Sequence, residues 1–190
     1  MTPSRMIALV ALMGVCILIV YAVVGVGTAG GPAGDRASTP TVKGESYEDA
    51  GLGFAFEYPA DWVKADSPAM GADATFLGPR RSDFTMSLDV RHDESAMALA
   101  VYVDRTIRKV LPEYKTNFKL LDEEPRTVEG VEAIKVVYSY RQGDFDLINV
   151  QVVYGLEARK IVLTFCLLSE YQDEVMKQVE QTIESFRRLS

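Results

Sequence analysis

The chain has 190 residues, 48% of them hydrophobic and 25% charged, with 8 prolines and 2 cysteines. That balance excludes a disordered chain, a collagen-like repeat and a disulfide-stapled miniprotein. The net charge of −7, from 20 basic and 27 acidic residues, argues against a nucleic-acid partner, because phosphate recognition needs a basic face.

Three segments follow one another. Residues 1–29 read as an N-terminal membrane anchor or signal sequence. Met6–Val26 is a run of 21 residues without a charge. As a helix rising about 1.5 Å per residue it matches the ~30 Å hydrocarbon core of a bilayer. Arg5 is the only charge ahead of it, and a positive flank stays on the cytoplasmic side, which sends the rest of the chain outward. The expected location is the cell membrane, single-pass, with the C-terminal domain outside the cytoplasm. The alternative is a cleaved secretory signal and a secreted domain, with small residues around Ala29 permitting the cut. Cys16, in mid-run, reads as a small apolar residue of that helix. Residues 30–43 are rich in Gly and Pro and read as a flexible linker. Residues 44–190 make one domain, large enough to bury a two-layer core.

Within the domain, Phe54, Phe56 and Tyr58 alternate with small or polar residues up to Pro59, which predicts a strand. Residues 73–77 are a weaker strand candidate. Phe84, Met86, Leu88 and Val90 alternate strictly with Thr85, Ser87, Asp89 and Arg91, the signature of a half-buried strand. Ser95 is a candidate helix cap, with Asp93 and Glu94 at the positive end of the dipole and Pro112 marking the end. Strands are then predicted at 118–121, 131–140, 147–154 and 160–167. The short Gly-containing links between the last three require antiparallel pairing. Ser169 with Gln172 resembles a capping box, and Val175, Val179, Ile183 and Phe186 form the apolar stripe of a closing helix. The expected fold class is α+β: an antiparallel sheet of about six or seven strands sandwiched between helices, preceded by the hydrophobic helix.

Candidate chemistry is sparse. The chain has one histidine, His92, so a histidine-based metal site or a hydrolytic triad would have to be built around it. Asp89, His92 and Asp93 are weak candidates for a metal site, against the simpler reading of a solvated strand end. Asp144 and Asp146 read as turn residues rather than calcium ligands, and Asp122, Glu123 and Glu124 as a charged loop. Tyr138, Tyr140 and Tyr154 fall on neighbouring predicted strands and are candidates for a partner-binding groove, against ordinary cross-strand packing. Cys166 reads as a core thiol, and Trp62 with Tyr58 as anchors of the first turn. No catalytic residue and no cofactor are expected.

The segment Gly53–Lys64, with Gly53, Phe54, Phe56, Tyr58, Pro59 and Trp62, resembles the PsbP-like family, named for the extrinsic photosystem II protein. The resemblance runs over roughly residues 46–189, through a middle helix and three antiparallel strands to Ser185–Phe186–Arg187. It implies an α/β/α sandwich, non-enzymatic work outside the cytoplasm, and a role in binding a protein partner or helping a membrane complex assemble. Its alternatives are a small-molecule or metal-binding protein, or a hydrolase centred on His92. The ion-retention role of the plant protein is not implied, because no matching ligand set is present.

Overall fold

A computed structural model describes residues 44–189. The anchor and linker readings fall outside these residues. Among the described residues no helix is long and apolar enough to cross a membrane.

Among the described residues ten strands form two sheets. The main sheet has seven strands in the order β3 (Val63–Lys64), β4 (Ala74–Arg81), β5 (Phe84–Glu94), β9 (Arg159–Leu168), β8 (Phe145–Leu156), β7 (Val131–Gln142) and β6 (Thr116–Val128). Each neighbouring pair is antiparallel. A second sheet of three strands has the order β1 (Glu45–Asp49), β2 (Phe54–Tyr58) and β10 (Arg187–Arg188). The predicted strand at Phe54 is therefore the middle of a separate small sheet.

Strand alternation sorts every side chain of the main sheet to one of two faces. One face carries Phe76, Leu88, Leu163, Phe165, Val150 and Val152, all buried. It is covered by the small sheet and by helix α3 (Gln172–Glu184). Phe56 packs edge-on against Phe76, and Phe186 stacks on Tyr154 at 3.7 Å between ring centroids. The other face is covered by helix α1 (Leu99–Val103), which continues through a π-helical segment (Asp104–Val110) into α2 (Leu111–Tyr114). Tyr102, Val103, Ile107 and Leu111 are its buried side. The molecule thus has three layers, with helices on opposite faces as the pattern predicts and the small sheet as an unforeseen part of one outer layer.

Five local expectations are corrected. β5 does not stop near Val90 but continues to Glu94, because Asp93 and Glu94 pair with Lys160 and Arg159 of β9. Ser95 is consequently no helix cap; the helix begins at Leu99 after Ala98. Pro112 does not end the helix. It lies just after the π-helical segment, at the start of α2, and the helix runs on to Tyr114. Residues 122–124 are not a loop but part of the 13-residue strand β6, and Pro125 is accommodated there because β6 is an edge. Ser169 opens a short 3-10 turn (Ser169–Tyr171), and α3 starts after Tyr171 with no side-chain cap.

Candidate functional site

Helix α1 packs on β7 and β8 and α2 on β6, while the β5 row of the same face is only half covered. The consequence is visible in β5. Met86, Leu88 and Val90 are buried toward α3, whereas Ser87, Asp89, Arg91 and Asp93, pointing the other way, are only half-buried. Across β9 they meet Cys166, Thr164, Val162 and Lys160 in turn, and across β4 Asp89 meets Thr75. The half-buried β5 row, with Thr164 beside it and buried Thr75, Val162, Lys160 and Cys166 on its flanks, is a polar floor on a rigid sheet.

Its groups are held in place. Thr75 Oγ1 donates to Asp89 Oδ1 at 2.6 Å and accepts the Ala69 amide at 2.9 Å, which ties the β3–β4 loop to the floor. Lys160, almost wholly buried, donates from Nζ to the Ser95 carbonyl at 2.8 Å. Burial pushes the Asp89 carboxyl up from its ordinary range, with the Thr75 hydrogen bond and the Arg91 charge pulling back. The Tyr102 phenol, from α1, is buried close to Arg91 and Asp93 without reaching good hydrogen-bond geometry with either. Burial is the main cause that raises it to about 12.

The weak metal candidates are split by strand alternation. Asp89 and Asp93 belong to this floor, while His92 points to the opposite face of β5. There Asp73 Oδ2 accepts both the His92 main-chain N–H at 2.6 Å and ring Nδ1 at 2.9 Å. An ionised carboxylate can only accept, so the ring carries its proton on Nδ1. Among the described residues no group of three or more His, Cys, Asp or Glu side chains could hold a metal ion.

The three tyrosines do not share a surface. Tyr138 and Tyr140 face the α1–α2 side, opposite Asn149 and Leu147, whereas Tyr154 faces α3. All three are buried. The Tyr138 hydroxyl accepts from Asn149 Nδ2 at 3.0 Å and donates to Gln151 Oε1 at 3.2 Å. Tyr140 Oη lies 3.6 Å from Cys166 Sγ, and Tyr154 donates to the Ile183 carbonyl at 2.9 Å. Asn149 Oδ1 is buried with no hydrogen-bond partner among the described residues. Cross-strand packing accounts for these rings.

Sequence reasoning named Asp89 and Asp93 but missed Thr75, Arg91, Thr164 and Tyr102. The polar alternation Ser87, Asp89, Arg91, Asp93 carried a signal for the β5 row. Nothing local marks Thr75 or Tyr102, which arrive from other elements.

With this geometry established, comparison with solved structures places the fold. The chain has the PsbP-like fold. It is similar to cyanobacterial PsbP (CyanoP) from Synechocystis, at 20% identity and TM-score 0.59, over 83% of this chain and 99% of that one. It is also similar to LpqN of Mycobacterium tuberculosis, a protein involved in cell envelope biogenesis, at 14% identity and TM-score 0.59, over 80% and 87% of the two chains. PA94 of Pseudomonas aeruginosa, of unknown function, matches at 18% identity and TM-score 0.53, over 69% and 88%. No family model and no curated protein matches the sequence.

Proposed function

We propose that the protein is a non-enzymatic module, held at the outer side of the cell membrane by residues 6–26, that binds a protein partner and helps it assemble. One observation carries this reading: on one main-sheet face the β5 row Ser87, Asp89, Arg91 and Asp93, with Thr164 beside it on β9, is polar and only half-buried. Strand backbones and the Thr75–Asp89 bond fix these groups in advance, so little ordering is needed when a partner docks. The fold shared with LpqN, an envelope-biogenesis protein, supports an envelope setting. Tethering by the apolar segment raises the effective concentration near a membrane partner without demanding high intrinsic affinity.

A second reading places a small polar molecule on the same floor. The buried Tyr102 phenol beside Arg91 and Asp93 favours it.

The test is a photo-crosslinking residue at Ser87 of the full chain, activated in native membranes. A discrete membrane-protein adduct that disappears in Arg91→Glu is the expected result. Absence of any adduct, or one indifferent to Arg91→Glu, sinks the proposal. A small molecule retained by the wild-type chain in native mass spectrometry and lost in Arg91→Glu establishes the second reading instead.

A further inference from the structure

Strand β6 is the outer edge of the main sheet, and among the described residues it carries the largest concentration of exposed large apolar side chains in one element. Leu120 and Leu121 are adjacent and 44% and 51% exposed, and Tyr114, at the end of α2 just before β6, is 43% exposed. A register shift lies between Leu120, opposite Tyr138, and Asp122, opposite Val137, leaving Leu121 with no partner in β7. An edge strand with unpaired main-chain groups and a large apolar pair is a docking site unless something covers it.

The charges flanking the leucines say what covers it. Lys119 precedes them and Asp122 follows, both exposed. They lie opposite Ser139 and Val137, two residues apart on β7, and therefore on the same face of the sheet. Among the described residues neither has an ion-pair partner, whereas the next acid, Glu123, is held by Arg108 at 2.6 Å. The strand thus reads cation, Leu, Leu, anion. Laid antiparallel against itself about a two-fold axis between Leu120 and Leu121, it puts each Lys119 directly across from an Asp122. The same alignment sets each Leu120 across from a Leu121. Opposite charges directly across a strand pair stabilise it and like charges destabilise it. An isologous contact is self-complementary in this way.

We infer that β6 is a homodimer edge, its occupant the β6 strand of a second copy of this chain, paired antiparallel about the Leu120–Leu121 axis. Pro125, which has no amide to donate, limits the pairing to the stretch before it. The contact joins two seven-stranded sheets into one and leaves the polar floor of β4, β5 and β9 accessible at the far side.

The test uses the full chain in detergent solution. Sedimentation should show a concentration-dependent dimer, and Lys119→Asp should weaken its association at least tenfold by setting two acids against each other. The double variant Lys119→Asp/Asp122→Lys should recover wild-type association. Leu121→Cys, made in a Cys16→Ala background, should give a disulfide-linked dimer on mild oxidation. A monomer at every concentration overturns the inference. So does a dimer indifferent to Lys119→Asp, or a double variant no better than the single one. Crosslinking from Ser87 should be unchanged in Lys119→Asp, which separates this contact from the proposed partner surface.

Discussion

At the scale of single residues, two positions hold energy that the chain could release or lose by one substitution. Asp89 is an acid whose folded pKa is raised by burial. Below its ordinary range both folded and unfolded chains are protonated and the group is harmless. As pH rises, the unfolded chain ionises first, and stability falls until Asp89 itself ionises in the fold. Asp89→Asn keeps an oxygen for the Thr75 hydroxyl and removes the buried charge. It should raise the melting temperature by a few degrees at about pH 7 and make no difference near pH 3, as read by scanning calorimetry. Gly78 is the opposite case. A Cβ there would lie 2.7 Å from Cε2 and 2.8 Å from Cζ2 of Trp62, which is 2% exposed. The indole has nowhere to move, so Gly78→Ala should cost about 1–3 kcal/mol in urea unfolding, the usual penalty for overpacking.

At the scale of elements, the question is what holds α3 against the edge of the sheet. Glu180 of α3 accepts from Arg126 at 2.6 Å and from Lys135 at 3.0 Å, and Glu124 accepts from the same two cations at 2.9 and 3.2 Å. Lys135 and Arg126 are largely buried, with side chains 10% and 19% exposed. Removing one anion leaves these largely buried cations undercompensated, which is costlier than the pair itself is worth. Glu180→Ala should therefore destabilise by about 2 kcal/mol, while Arg80→Ala, whose pair with Asp83 is open to water, should stay within about 0.5 kcal/mol by the same urea titration. The network also explains why residues 122–124 are strand. Read alone, three acids before a proline look like a solvated loop. Arg108, Arg126 and Lys135, two of them distant in sequence, supply the countercharges that let Glu123 and Glu124 sit beside β7 and α3.

At the scale of the whole molecule, the C-terminus closes the structure on its N-terminal side. Phe186 stacks on Tyr154 and on Phe54, joining the main sheet to the small one, and β10 adds to β2 just beyond it. Phe186→Ala should cost about 3–5 kcal/mol, a large share of the roughly 5–15 kcal/mol that holds a domain together. Near-ultraviolet circular dichroism on heating should show the loss as an early, cooperative transition. A shallow effect would mean that the small sheet is only loosely coupled to the main one.

The sequence by itself determined the strands of the middle and C-terminal regions, their antiparallel pairing, the closing helix and the PsbP-like character of the fold. Period-two alternation and short Gly-containing links are local signals that survive without tertiary context. The polar set Ser87, Asp89 and Arg91 was legible in the same way, alternating with a buried set, whereas Asp93 read as an acid at a helix start. What only the tertiary structure decided was which elements lie over which half of a face. The small sheet formed by β1, β2 and β10 depends on a strand of two arginines from the far end of the chain, with no local signal of its own. Alternation says that Asp89 and His92 point opposite ways only once the strand is known to continue past Val90, and that continuation is set by pairing with β9. Tyr138 and Tyr154 were separated for the same reason, since adjacent strands share a face by register, and register is a property of the assembled sheet.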